Sequence, residues 1–143
     1  MAQIPAHIRV PACMGSLHTL QAFVVSCLAS QGIGAARLRE IELAMEEILV
    51  NIFRYAYPDR DGEVEVACRL ENGGRVLVEV ADRGIPFDPF SRQDPDLKAG
   101  IEERKVGGLG VFFVKQLVPM ASYRREGERN ILTIPIDYKS SLG

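Results

Sequence analysis

The change in apolar spacing near residue 58 constrains the fold of this chain more than any other feature of its sequence. Over residues 35–57, apolar residues recur every three or four positions, as on one face of an α helix. Beyond Pro58 they alternate with charged residues, as in a half-buried strand that includes Val64, Val66, Cys68 and Leu70. Asn72-Gly73, which favours a tight turn, then leads into a second strand-like run over residues 75–81. The sequence therefore predicts a long amphipathic helix followed by an antiparallel hairpin.

The segments on either side of this unit show the same two patterns. Helical spacing follows Ser16, a candidate N-cap, and returns over residues 110–118. Strand-like patterns occupy residues 6–10, 121–126 and 130–136. We expect one domain over residues 1–143, an α+β two-layer sandwich with about three helices on one face of a mixed, mostly antiparallel sheet.

The charge balance argues against nucleic acid as a direct partner. The chain has 17 Lys and Arg residues against 19 Asp and Glu residues, so it has no basic surplus for phosphate backbones. No apolar run reaches the roughly 18 residues that a membrane-spanning helix needs. Cys13, Cys27 and Cys68 have neither metal-ligand nor redox spacing, which is typical of a reducing compartment. We therefore expect a cytoplasmic protein with no membrane partner.

Three polar residues lie along one side of the long predicted helix. Glu47, Asn51 and Arg54 are spaced at i, i+4 and i+7, which places them on one face beside the apolar stripe. The Asn51 carbonyl oxygen suits a hard cation such as Mg²⁺, and Glu47 could accept a proton from an attacking hydroxyl group. The alternative is an ordinary solvated helix edge, and this cluster by itself does not decide between the two.

A second polar cluster follows the second strand of the hairpin, in the stretch VADRGIPFDP. Asp82 ends the strand, and Gly84 allows a sharp turn with space for a flat ring. A carboxylate in an apolar pocket would accept a hydrogen bond from a donor such as the exocyclic amine of adenine. Asp-x-Gly is also an ordinary strand-end turn.

A third cluster, in the stretch VGGLGVFFVK, places glycines just before a predicted helix. Gly107, Gly108 and Gly110 leave backbone amides uncovered at a helix N-terminus, where anionic phosphate is attracted. The stretch fits neither the P-loop nor the dinucleotide-binding glycine pattern. A flexible entry into a buried helix would show the same residues.

The order and spacing of the three clusters together are far more specific than any one of them. Glu47-xxx-Asn51, Asp82-x-Gly84 and Gly108-Leu109-Gly110 resemble the N, G1 and G2 boxes of the GHKL ATPase superfamily. Within it, AMEEILVNIFRYAYPD and GGLGVFFVKQLV are most similar to the stand-alone anti-sigma-factor serine kinases. The resemblance covers nearly the whole chain and implies the Bergerat ATP-binding fold.

The resemblance also implies roles for the matching polar residues. Asn51 would be the Mg²⁺ ligand, and Glu47 the general base toward a serine hydroxyl group. Asp82 would bind adenine in a pocket shaped by Gly84.

Further roles implied by the resemblance concern the phosphates and the loop above them. The phosphates would be held by Gly107, Gly108, Leu109 and Gly110. Arg54 and Lys105 would add positive charge, and Thr133 would lie near Asp82. Residues 85–106 would form the ATP lid.

By this resemblance the chain is an ATP- and Mg²⁺-dependent serine/threonine kinase that acts as an anti-sigma factor. Its substrate would be a serine of a small anti-sigma-factor antagonist of the STAS type, and it could also sequester a sigma factor. A homodimer is implied too, and the edge of the strand at residues 6–10 could supply its contact. Two alternatives use the same residues: a non-catalytic ATP-binding module for partner switching and a slow ATPase.

Overall fold

The computed structural model of the chain describes residues 6–91 and 110–137. The strands in these ranges are β1 (Ala6–Pro11), β2 (Glu63–Glu71), β3 (Arg75–Asp82), β4 (Ser122–Glu126) and β5 (Arg129–Asp137). The α helices are α1 (Leu17–Ala29), α2 (Ala35–Tyr55) and α3 (Gly110–Leu117), and short 3-10 helices occupy Met14–Ser16 and Pro89–Ser91. Within the same ranges, no helix is long and apolar enough to cross a lipid bilayer.

The five strands form a single sheet in the order β1-β2-β3-β5-β4. Every pairing between these neighbours is antiparallel, so the described sheet is antiparallel throughout rather than mixed. The hairpin of β2 and β3 and the hairpin of β4 and β5 are joined because β5 pairs with β3. The predicted α+β architecture is confirmed.

Alternate side chains of the strands pack under the helices, and we call this side of the sheet the helix face. Its buried members are Val64, Val66, Cys68, Val76, Val78, Val80, Leu132, Ile134 and Ile136. They form one cluster with the apolar stripe predicted for α2, which consists of Ile41, Met45, Ile48, Leu49, Ile52 and Ala56. Because full burial of a large aliphatic side chain stabilises a fold by about 1.5–3 kcal/mol, this cluster dominates the stability.

The opposite side, which we call the outer face, carries cross-strand ion pairs. Glu65 lies 2.6 Å from His7 and 3.4 Å from Arg9, both on the edge strand β1. The other carboxylate oxygen of Glu65 lies 3.0 Å from Arg129, which is on β5. One carboxylate therefore contacts cations from two strands that are not adjacent to each other.

The start of α1 differs in detail from the prediction. Ser16 occupies the N-cap position, but its side chain makes no capping hydrogen bond. Its backbone is helical, with φ −92° and ψ −8°, because a 3-10 turn at Met14–Ser16 leads directly into the helix. A capping side chain needs an extended backbone at that position, and the Ser16 hydroxyl group instead lies 3.8 Å from the Cys13 sulfur.

The end of α2 comes two residues before the predicted position at residue 57, since the helix ends at Tyr55 with Ala56 as its C-cap. The Ala56 carbonyl group accepts a hydrogen bond of 2.9 Å from the backbone N–H of Ile85. The Tyr57 hydroxyl group is also used outside the helix, since it donates to the Glu63 carbonyl oxygen at 2.6 Å. Pro58 disfavours a helical backbone at Tyr57, and the contacts of Ala56 and Tyr57 stabilise the chain where the helix has ended.

Candidate functional site

Asn51 lies in the second half of α2 and is only 2% exposed. Its side-chain oxygen Oδ1 is buried and accepts no hydrogen bond from any described residue. Buried polar atoms in native proteins nearly always have a partner, so an exception requires an explanation. A carbonyl oxygen held in this way is suited to a hard cation or to a water molecule bound to one.

Glu47 lies one turn before Asn51 on the same helix and is half-buried. Its Oε2 atom is also buried and makes no hydrogen bond within the described ranges, although the residue takes part in another interaction. Arg54 follows in the last turn of α2 and is exposed. The helix therefore presents an amide and a carboxylate next to the core and a guanidinium group at the surface.

Asp82 is the last residue of β3 and is 7% exposed. Its Oδ1 atom accepts two hydrogen bonds of 2.8 Å, from the backbone N–H of Gly84 and from the side-chain amide of Asn130. Burial raises the pKa of the Asp82 carboxyl group, while these two hydrogen bonds and the charge of Arg125 oppose that increase. Both donors bind Oδ1, and no described residue donates a hydrogen bond to Oδ2.

Asn130 is the principal residue of this region that the sequence analysis missed. It is 3% exposed and stands directly opposite Asp82 in the pairing of β3 with β5. A signal was present, because Asn130 continues the alternation of Leu132, Ile134 and Ile136 and is thus the polar residue in an otherwise apolar series.

Gly84 is placed by close packing against the end of α2. A Cβ atom on Gly84 would collide with the carbonyl group and the Cβ atom of Ala56. The side of Gly84 that a Cβ atom would occupy is therefore filled by the end of α2. The sequence analysis had expected space for a flat ring at Gly84, and on this side there is none. This contact joins the segment after Asp82 to the helix that carries Asn51.

The structure does not bring Thr133 to this site. Thr133 pairs with Glu79 on the outer face of the sheet, and its hydroxyl group accepts a hydrogen bond of 2.9 Å from Arg124. Side chains alternate along a strand, so Thr133 points away from the helix face, where Asp82 and Asn130 lie. The expected neighbour of Asp82 is corrected from Thr133 to Asn130.

The glycine-rich cluster is described only at its last residue. Gly110 is the first residue of α3. The predicted site residues Lys105, Gly107, Gly108 and Leu109 lie outside the described residues. Of the predicted lid, residues 85–91 are described, and there the Phe87 ring lies 5.7 Å from the ring of Tyr55 on α2.

A cleft of about 600 Å³ opens at the same end of the sheet as Asp82. Its lining includes the outer-face residues Glu65 and Arg129, and Tyr57 and Arg60 from the loop after α2. Asp82 borders it, but neither Asn51 nor Glu47 does. The cleft therefore does not contain the polar residues of α2 that the sequence analysis singled out.

Comparison with known proteins identifies the family. The sequence profile of the histidine kinase-like ATPase domain matches residues 10–136. The chain belongs to this family. Two solved structures share its fold: a Mycobacterium tuberculosis protein with RsbU and RsbW domains, and a blue-light activated histidine kinase of Erythrobacter litoralis.

The structural similarity covers most of this chain but a minor part of each solved structure. For the first, the TM-score is 0.66 at 22% identity, with 94% of this chain and 32% of that one covered. For the second, the TM-score is 0.57 at 19% identity, with coverages of 85% and 42%.

Two similar curated proteins carry kinase names. The serine/threonine-protein kinase BtrW of Bordetella bronchiseptica is 28% identical over 102 residues, covering 70% of this chain and 71% of that protein. The serine-protein kinase RsbW of Listeria monocytogenes is 27% identical over 122 residues, covering 80% and 77%. The family implies ATP binding, and these relatives support kinase activity in general.

Proposed function

We propose that this protein is an ATP- and Mg²⁺-dependent protein serine kinase whose substrate is a small anti-sigma-factor antagonist. The observation that carries the proposal is the buried Asn51 oxygen, which has no hydrogen-bond partner among the described residues and lies one turn from Glu47. A cation ligand and a proton acceptor on one helix are what transfer of a phosphoryl group to a hydroxyl group requires. The kinase names of the BtrW and RsbW relatives support the same reaction.

Asn51 fits the proposed metal because Mg²⁺ prefers oxygen ligands, and this buried oxygen accepts no hydrogen bond within residues 6–91 and 110–137. When bound with ATP, Mg²⁺ would neutralise charge on the phosphate oxygens. The described residues contain no group of three or more His, Cys, Asp or Glu side chains that could hold a metal ion. A single amide ligand, completed by phosphate oxygens and water, is consistent with how Mg²⁺ binds with nucleotides.

Asp82 is proposed to select the adenine base. Its Oδ1 is occupied by Gly84 and Asn130, which leaves Oδ2 to accept a hydrogen bond from the exocyclic amine. An ionised carboxylate only accepts hydrogen bonds, so a base with a carbonyl oxygen at the same position would be disfavoured.

In the proposed reaction the hydroxyl oxygen of the substrate serine forms a bond to the γ-phosphorus of ATP, and Glu47 accepts the hydroxyl proton. The bond between that phosphorus and the bridging oxygen of ADP breaks, ADP leaves, and phosphoserine remains. Glu47 then returns its proton to solvent. Most of the acceleration would come from positioning and from electrostatic stabilisation of the transferring group.

Partner switching extends the proposal to regulation. The chain would hold a sigma factor in one nucleotide state and act on a STAS-type antagonist in another. We further propose a homodimer, for which β1 offers an edge, because it pairs only with β2 in the described sheet.

The decisive experiment incubates the protein with Mg²⁺, γ-labelled ATP and candidate antagonists encoded nearby. We expect label on a serine of one antagonist, and a loss of about 100-fold or more in Glu47→Gln with ATP binding retained. Glu46→Gln is the matched control, since Glu46 lies about 100° around the helix from Glu47.

Other outcomes of this experiment would favour the two alternative functions. Label released as inorganic phosphate, with none on protein, would indicate a slow ATPase. Tight ATP binding without transfer to any candidate would indicate a non-catalytic module. Equal activity of Glu47→Gln and the wild-type protein would contradict the assignment of the base.

A further inference from the structure

We propose that Asn130 is the positioning residue of the adenine site, which fixes the orientation of Asp82 so that Oδ2 alone faces the base. The proposal rests on the function proposed above, in which Asp82 binds adenine. Asn130 itself is not expected to touch the nucleotide, because its hydrogen-bonding atoms are committed to the protein.

Both the donor and the acceptor atom of the Asn130 amide group are engaged in hydrogen bonds with the protein. Nδ2 donates to Asp82 Oδ1 and to the Ile85 carbonyl oxygen, both at 2.8 Å. Oδ1 accepts from the Tyr123 hydroxyl group at 2.7 Å, from Arg125 at 3.1 Å and from the Phe87 backbone N–H at 3.3 Å. Five partners around one buried amide leave it no other favourable orientation.

The chemistry of these partners determines which end of the amide faces Asp82. Arg125 and the Phe87 backbone N–H can only donate, so a flipped amide would oppose donor to donor at both of them. The NH₂ group must therefore face Asp82, and the nearer carboxylate oxygen is held by it. Rotation of the carboxylate plane away from this orientation would break the bonds to both Asn130 and Gly84.

Asn130 also joins the carboxylate to the chain that follows it. Ile85 and Phe87 lie just beyond the β3 strand end, and both bind the Asn130 amide through backbone groups. One side chain from β5 is thus bonded both to the Asp82 carboxylate and to the backbone of residues 85–87. A purely structural asparagine would need only the backbone bonds, whereas this one divides its NH₂ group between backbone and carboxylate.

The same hydrogen bond favours the ionised form of Asp82. Burial raises the pKa of this carboxyl group, and the bonds from Asn130 and Gly84 and the charge of Arg125 counteract the increase. Asp82 also interacts electrostatically with Tyr57, from the loop after α2. Loss of the Asn130 donor should therefore raise the pKa of Asp82 further. When the solution is acidified, a variant without this donor should release ATP at a higher pH than the wild-type protein does.

The test compares Asn130→Thr with Asn130→Val, two side chains of nearly equal shape of which only threonine can donate a hydrogen bond. ATP affinity is measured by calorimetry between pH 5.5 and 8.5. We expect Asn130→Val to bind ATP about tenfold more weakly than the wild-type protein at neutral pH. Its affinity should also begin to fall at a higher pH, and Asn130→Thr should recover part of both properties.

Two control variants separate this role from general damage to the region. Tyr123→Phe removes one bond to Asn130 but none to Asp82, so its pH profile should match that of the wild-type protein. Thr133→Val alters the outer face of the same strand and should leave ATP affinity unchanged. Equal affinity and equal pH profiles for Asn130→Thr, Asn130→Val and the wild-type protein would overturn the proposal.

A measurement on the wild-type protein keeps the proposal testable if both Asn130 variants fail to fold. The side-chain amide resonances of Asn130, followed by NMR, should shift over the pH range in which ATP affinity falls. Resonances that stay constant over that range would overturn the proposal. If the wild-type protein does not bind ATP, or Asp82→Asn binds it normally, the proposed function itself is wrong.

Discussion

Asn51 and Asp82 are both buried polar residues, but their surroundings are opposite. Asp82 is held by two donors on one oxygen, whereas the Asn51 side-chain oxygen has no hydrogen-bond partner among the described residues. A buried polar group without a partner destabilises a protein by about 1–3 kcal/mol. A function that uses the Asn51 oxygen would explain why the chain retains such a group.

At Asp82 we predict that substitution by asparagine weakens ATP binding about tenfold or more. The two donors at Oδ1 would require the new carbonyl oxygen there, which would turn the NH₂ group toward the amine of adenine. Calorimetric titration with ATP checks this. The control is Asp61→Asn, because Asp61 lines the cleft of about 600 Å³ described above. Unchanged affinity would remove Asp82 from the site.

At Gly84 we predict a loss of stability when it is replaced by alanine. The added Cβ atom would collide with the backbone of Ala56, so the free energy of unfolding should fall by about 1–3 kcal/mol. Gly15→Ala is the control, because a Cβ atom at position 15 would lie 3.8 Å from the Cys13 sulfur, which is an ordinary van der Waals contact. Urea denaturation measures both, and equal stability of the two variants would refute the packing argument.

The sequence predicts residues better where chemistry is local than where it depends on strand pairing. Asn51 and Asp82 could be selected because their helix and strand contexts are visible in neighbouring residues. Asn130 is 48 residues from Asp82, and only the register of β5 against β3 brings them together. Thr133 was expected at the site from the resemblance alone, although the flanking Leu132 and Ile134 indicate that it points outward.

At the scale of elements, local patterns predict type well and boundaries less well. The hairpin predicted at Asn72-Gly73 is confirmed, but its loop has three residues, 72–74, between the paired Glu71 and Arg75, and the positive φ values fall on Gly73 and Gly74 rather than on Asn72. Pro58 disfavours a helical backbone at Tyr57 and so limits the end of α2, but the contacts that Ala56 and Tyr57 make with distant segments are not visible in the local pattern. The strand order, in which β5 pairs with β3, is likewise absent from local periodicity.

Tyr57 connects the beginning of β2 to the end of β3 through its hydroxyl group. Its hydroxyl group donates to the Glu63 carbonyl oxygen at 2.6 Å and accepts from the Arg83 backbone N–H at 2.7 Å. Tyr57→Phe removes both bonds, so the free energy of unfolding should fall by about 1–2 kcal/mol at neutral pH.

The pH dependence of the same variant gives a second check. Burial is the main reason why the pKa of Tyr57 is raised above its usual value of 10.0. The folded state therefore keeps this proton longer than the unfolded state, and the stability it contributes is lost as pH rises above 10. In thermal melts between pH 9 and 11, the melting temperature of Tyr57→Phe should fall less with rising pH than that of the wild-type protein.

At the scale of the whole molecule, the ion pairs of Glu65 tie β1 and β5 to β2 across the outer face. The pKa of Glu65 is lowered, chiefly by the hydrogen bond with His7 and also by the charges of His7, Arg129 and Arg9. Its contribution to stability is thus present above its unfolded pKa and is lost as pH falls through its lower folded pKa.

We predict that Glu65→Gln lowers the free energy of unfolding by about 0.5–1 kcal/mol in low salt, and by less in 1 M NaCl. Glu63→Gln is the matched control, since Glu63 is on the same strand and face and makes no ion pair with a described residue. Urea denaturation at both salt concentrations measures the difference. An equal effect of both variants would show that the Glu65 pairs contribute nothing measurable.

The pairing of β3 with β5 has a consequence for how the protein matures on the ribosome. Synthesis is vectorial, so Asp82 leaves the exit tunnel well before Asn130, and the β2-β3 hairpin can form while the amide that orients the carboxylate is still unmade. A nascent chain that already contains every recognisable nucleotide motif would still lack the partner of Asp82. Competence to bind a nucleotide should therefore arise late and coincide with completion of the sheet.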